Sequence, residues 1–208
     1  GFPAPIILAL LLNELRNQKF KRVVQTVSYL PHFISQVVVC GIILDFFSSS
    51  GVVNQVIQML GGQKILFMQD ASWFQPIWQG IGYGSIIYLS ALGGVDASLY
   101  DAATIDGCSR FGRVLHVTIP GILPTIVIML ILRVGSMLNV GFEKIILLYN
   151  ETTYETADVI SSFVYRYGMQ KGNYSYATAV GLFNSLFNFI LLVAVNAFSR
   201  KVSEISLW

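Results

Sequence analysis

Apolar stretches of nearly bilayer length recur along this chain, and they constrain its fold more than any other feature. Crossing the hydrocarbon core takes about 20 residues of helix. Five segments qualify or come close: residues 2–15, 29–47, 74–95, 119–142 and 177–198. The first is short, and Gly1-Phe2-Pro3 opens straight into it without an initiator Met or a basic leader. It is therefore expected to be the remainder of a span whose beginning is missing, not a signal peptide. Charged residues make up 12% of the chain and apolar ones 54%, where a soluble domain carries about 25% charged. So few charges cannot cover a water-soluble globule, and so much apolar surface excludes a disordered chain. The expected class is an all-α polytopic membrane protein.

The basic residues give an orientation. If 16–22 faces the cytoplasm, alternation of spans puts 96–118 and the C-terminus on the same side. Those segments hold Arg16, Lys19, Lys21, Arg22, Arg110, Arg113, Arg200 and Lys201, whereas the opposite loops hold only Lys64, Lys144, Arg166 and Lys171. This asymmetry follows the positive-inside rule. Trp73 and Trp78 are expected at the outer interface, and the 16–22 cluster against anionic lipid. The net charge of +2 is too small for a nucleic-acid binder. Cys40 and Cys108 show no zinc-type spacing, and His32 and His116 have no ligand-spaced partner, so no metal site is expected.

The segment 96–118 carries the most chemistry. Ala97 to Thr104 reads as a short helix with Leu99, Ala102 and Ala103 on its apolar side. Asp106-Gly107 breaks it, since glycine accepts positive φ. A second short helix begins at Ser109, with Phe111, Val114 and Leu115 apolar, and Pro120 suits the first turn of the following span. A helix–Gly–helix element of this kind needs a partner for its apolar side.

These residues resemble the coupling motif of binding-protein-dependent ABC importer permeases, EAA-x-x-DG followed by I-x-L-P. Here the motif reads Asp101-Ala102-Ala103, Asp106-Gly107 and Val117-Thr118-Ile119-Pro120, with Asp in place of the usual Glu and Ile119 in place of the usual Leu. Residues 81–89, 139–144, 154–160 and 202–208 are similar to the oligosaccharide (MalF/LplB-type) branch of that family. The resemblance implies a type I ABC importer transmembrane domain over 1–208, with five helices present of about six and a cytoplasmic coupling loop at 96–118. It implies a transport subunit and not an enzyme, assembled with a second permease, two ATPase subunits and an extracellular solute-binding lipoprotein. ATP and Mg would sit on the ATPases; no cofactor is expected in this chain, which has no GxxxxGK[ST]. Asp101, Ala102, Ala103, Asp106, Gly107, Phe111 and Pro120 would form the docking element. The implied cargo is an oligosaccharide, with a polysaccharide-derived or uronate-containing one fitting the branch.

Arg133 lies about 13 residues beyond Pro120, roughly 20 Å along a helix. An arginine at that depth is costly and faces a partner or a wet cavity. Ser136, Asn139 or Val140, and Glu143 follow on approximately one helical face, so this face is expected to line the translocation path, with Tyr83 as a further candidate. The alternative for Arg133 is a salt bridge to Asp45 or Asp158. Asn184 and Asn188, one turn apart, read as interhelical hydrogen bonders. Two rival classes remain. Gly80-Ile81-Gly82-Tyr83-Gly84 is weakly similar to a potassium-channel filter, which leaves the coupling motif unexplained, and an intramembrane enzyme lacks a paired catalytic set.

Overall fold

The structure is a computed structural model that describes residues 1–67, 77–139, 141–148, 157–203 and 205–207. Every regular element among them is helical: α1 (Pro3–Glu14), α2 (Gln18–Phe33), α3 (Gln36–Phe47), α4 (Val52–Met59), α5 (Ile77–Leu92), α6 (Ala97–Ile105), α7 (Arg110–Arg113), α8 (Ile119–Gly135), α9 (Phe142–Leu148), α10 (Ile160–Val164) and α11 (Tyr174–Ser203). Three helical stretches among the described residues are long and apolar enough to cross a membrane: Gln36–Met59, Arg110–Gly135 and Tyr174–Lys201. Helix α1 is apolar but shorter, and α5 runs 16 residues without a charged side chain.

Two of the expected spans end elsewhere. The 29–47 segment is not one helix: α2 stops at Phe33, and Ser35 is extended at ψ 137° before α3 begins. Pro31 lies inside α2 just before the break, where its ring removes an amide donor and crowds the carbonyl one turn back. The basic cluster is correspondingly not a loop, since Lys19, Lys21 and Arg22 lie in the first turns of α2, whose start Asn17 caps by accepting from the Lys19 and Phe20 amides. The 119–142 span starts earlier, at Arg110, and stops at Gly135. The expectations for Trp73, for residues 74–76, for the Trp78 side chain and for Val140 lie outside the described residues.

The chain forms two compact units. The first comprises Gly1–Phe33, Ile77–Gly135 and Ile190–Trp208. Here α5 packs against both α1 and α2, and α8 packs against α5. Ala9, Tyr88, Leu92 and Ile122 form its buried core. The α2–α5 crossing is a backbone contact, because a Cβ built on Gly82 would stand 1.8 Å from the Ser28 carbonyl oxygen. Only glycine permits such an approach, and small residues commonly mediate it between apolar helices.

The second unit comprises Ile34–Pro76 and Ser136–Phe189. Helix α3 packs against α4 and α9, and Cys40, Leu148 and Ala157 form its core. Buried Asn54 on α4 donates to the Ser48 and Ile65 carbonyls and accepts from the Ile65 amide, which fixes the 48–65 turn. Asp158 forms an ion pair with Arg166 and accepts a hydrogen bond from Ser162.

Candidate functional site

The 96–118 element has two faces. Asp96 caps α6 by accepting from the Ser98 amide at 2.9 Å, and the hydrogen bonds from Ser98 hold its carboxyl below the usual carboxylate range. The helix closes where Asp106, Gly107 and Cys108 amides donate back to Ala102, Thr104 and Ala103 carbonyls. Gly107 turns the chain at φ +72°, as its place after Asp106 required. Ser109 then caps α7 by accepting from the Gly112 amide at 3.1 Å.

Its outer face is apolar and bare. Ile105 is 86% exposed and Phe111 77%, and Leu99, Ala102 and Leu115 are exposed as well. Asp101, Asp106 and Gly107 are exposed around this patch, while Ala103 is half-buried. Sequence reasoning missed Ile105. It stands three residues beyond Ala102, and that helical spacing was the available signal.

Its inner face is polar, buried at Thr118 and open to its surroundings at Thr104. The Tyr100 hydroxyl donates to Thr118 Oγ1 at 3.2 Å, and Thr118 Oγ1 donates to the Arg113 carbonyl at 3.3 Å. The Arg113 guanidinium donates to Thr104 Oγ1 at 3.0 Å, and Thr104 Oγ1 donates to the Tyr100 carbonyl at 2.7 Å. These four bonds were not anticipated.

Pro120 lies in the first turn of α8, and that helix continues from α7 without a break. Residues Val114–Thr118 make a π-helical turn that joins α7 to α8, and the Ile119 amide bonds five residues back to Val114. An α-helical ladder through Pro120 would set its ring against the His116 carbonyl, and the wider turn immediately before it relieves that clash.

The second candidate group is not a single helical face. Arg133 is exposed on α8, two residues before the helix ends, and the chain turns through 136–139 with the Asn139 amide bonded to the Ser136 carbonyl. Gly141, at φ +37°, leads into α9, which carries exposed Glu143 in its first turn. The interruption at Gly135 and Gly141, where helix propensity is lowest, breaks the expected periodicity. Asn184 donates to Asn139 Oδ1 at 3.1 Å, Asn188 Nδ2 lies 3.4 Å from Asn184 Oδ1, and the Leu138 amide reaches Asn188 Oδ1 at 3.4 Å. The two asparagines therefore link α11 to the 138–139 turn and to each other, in place of the helix-to-helix bonds expected, and Asn139 is part of that link. Asp158, one suggested partner of Arg133, pairs with Arg166. Tyr83 has one ring face stacked on His32, with centroids 3.8 Å apart, and the residue remains 45% exposed. Gly80–Gly84 lies within the continuous helix α5, where backbone carbonyls serve the helix and do not line an ion pathway as a filter's do.

A family model described as "Binding-protein-dependent transport system inner membrane component" matches residues 1–204. The chain belongs to this family of transport-system inner membrane components. Within it, the chain is 46% identical over 211 residues to Protein LplB of Bacillus subtilis strain 168, covering 98% of this chain and 66% of that protein. It is 42% identical to the polygalacturonan/rhamnogalacturonan transport system permease protein YteP of the same organism, over 98% of this chain and 65% of YteP. The chain thus spans just under two thirds of these relatives' length. A crystallised bacterial alginate ABC transporter, in complex with its alginate pentasaccharide-bound periplasmic protein, contains a chain that matches with a TM-score of 0.94 and 43% identity. That match covers 100% of this chain and 74% of the other. The fold is that of a type I ABC importer transmembrane domain, a multi-pass membrane permease fold.

Proposed function

We propose that this chain is a permease subunit of an ATP-driven importer that carries an oligosaccharide inward, and that it couples to ATPase subunits through the 96–118 element. The observation that carries the coupling role is the bare apolar face of that element. Ile105 and Phe111 are large side chains left almost fully exposed at a tight, doubly capped turn, and an apolar patch of this kind marks a protein interaction site. On this reading Ala102, Ala103, Ile105 and Phe111 enter a cleft on the ATPase, Asp101 and Asp106 supply polar contacts at its rim, and Gly107 makes the turn. ATP and Mg act on the ATPase subunits. Their closure draws two such elements together, one from each permease, and the pore passes from inward- to outward-facing. Each state is held by its own ligand contacts. An extracellular binding protein delivers the sugar, and the C-terminus and the basic residues of α2 lie on the cytoplasmic side.

The cargo we propose is a uronate-containing oligosaccharide derived from a polysaccharide. The names of YteP and of the alginate transporter both denote acidic glycans. Arg133, exposed on α8, is suited to a carboxylate, which a guanidinium binds bidentately. Ser136, Asn139, Glu143 and Tyr83 remain candidates for the path. Uptake by the reconstituted transporter, supplied with its ATPases and binding protein, tests this against a panel of neutral and uronate oligosaccharides. ATP-dependent uptake of the acidic members, lost in Arg133→Gln, is expected. Unchanged uptake of both classes by Arg133→Gln would sink the role of Arg133, and no uptake of any sugar would sink the importer reading.

A further inference from the structure

The inner face of the 96–118 element points to a second role, one that rests on the coupling reading above. We infer that the ring Tyr100–Thr118–Arg113–Thr104 is a clasp that locks the docking helix α6 to the base of α8, and that Tyr100, Thr118 and Arg113 are positioning residues for transport.

Three observations converge on it. First, Thr118 is fully buried at the last position of the π-helical turn, and its hydroxyl is used twice, accepting from Tyr100 and donating to the Arg113 carbonyl. Second, Thr104 is also used twice, so the four bonds close on themselves: α6 is held at Tyr100 and Thr104, and the α7–α8 junction at Arg113 and Thr118. Third, the connection between α5 and α6 also lies against α8, since a Cβ on Gly121 would stand 2.8 Å from the Val95 side chain. The covalent path from α6 to α8 runs through Gly107, a residue at positive φ with no side chain of its own. Without the clasp, a push on Ile105 or Phe111 would bend that turn. With it, the push moves the π-helical turn and α8 behind it, including Arg133. A widened turn inside a helix is a common place for a functional adjustment, and hydrogen bonds that share atoms act as a unit.

The test uses the complete transporter in proteoliposomes, with ATP hydrolysis and sugar uptake measured on the same sample. Tyr100→Phe keeps the ring and removes the hydroxyl, and Thr118→Val keeps the shape and removes both bonds. Each is expected to retain the ATPase subunits and basal hydrolysis while lowering sugar imported per ATP by about fivefold, the scale of one lost hydrogen bond. The double variant is expected to be no worse than either single one, because both break the same link, and Thr118→Ser is expected to restore coupling. Uptake per ATP at the unmodified level in Tyr100→Phe and Thr118→Val would overturn the clasp while leaving the docking role intact. Failure of the unmodified chain to retain ATPase subunits would overturn both.

Discussion

The α2–α5 crossing and the 96–118 element, both in the first unit, handle surface in opposite ways. At Gly82 two helix backbones touch with no side chain between them, and the contact is complete within the chain. At Ile105 and Phe111 large apolar side chains project from a short, capped turn, and nothing among the described residues covers them. The first arrangement is a backbone-to-backbone contact made inside the chain. The second joins its polar groups to one another and offers its apolar atoms to something else. Stability and docking are therefore carried by different residues, and substitutions should separate them.

The largest effect is expected at the crossing. Gly82→Ala forces backbone against backbone and should destabilise the chain by about 3 kcal/mol, read as a fall in the thermal midpoint of the purified protein. A midpoint unchanged from the parent would break the comparison. Next, Phe111→Ala should weaken retention of ATPase subunits by about 2 kcal/mol, the scale of an interface anchor, with the thermal midpoint unmoved. Loss of stability in place of binding would mean that Phe111 belongs with Gly82 after all.

What the residues announced in advance follows the range of the interactions involved. Turn chemistry is local, so Asp106-Gly107 and Ser109 could be read directly, and the structure puts a positive-φ glycine and a cap there. The break at Ser35 has local signals in Pro31 and the polar pair Ser35-Gln36, but the apolar residues beyond them on both sides outweigh these in a reading by hydrophobicity. In 133–143 the near-helical spacing of Arg133, Ser136, Asn139 and Glu143 suggests one face, and Gly135 and Gly141 between them are the residues that break it. Contacts between distant segments, such as Gly82 on Ser28, His32 on Tyr83 and Tyr100 on Thr118, follow from packing that no short window contains.

Smaller effects sharpen the contrast. Asn184→Ala removes the bond to Asn139 and should cost about 1 kcal/mol, visible as a lower thermal midpoint with ATPase retention unchanged. Gly107→Ala places a side chain in the left-handed region, and because open space surrounds it the cost is conformational alone, about 1 kcal/mol. It should appear as faster amide exchange across α6. The smallest effect is a pH dependence. The Asp96 carboxyl titrates below its usual range in the folded chain. Its capping contribution is thus present above the ordinary carboxylate value and is lost as pH falls through the lowered one. Amide exchange at Ser98 should quicken, relative to its intrinsic rate, on acidification, and Asp96→Asn, which keeps an acceptor, should abolish that dependence.

The docking role of the 96–118 element is tested most directly by a photo-crosslinking side chain placed at position 111 in the assembled transporter, with position 183 on α11, also exposed, as the control. Crosslinking to an ATPase subunit from 111 and not from 183 is the expected result. Crosslinks from 111 only to lipid or to the permease partner would contradict it.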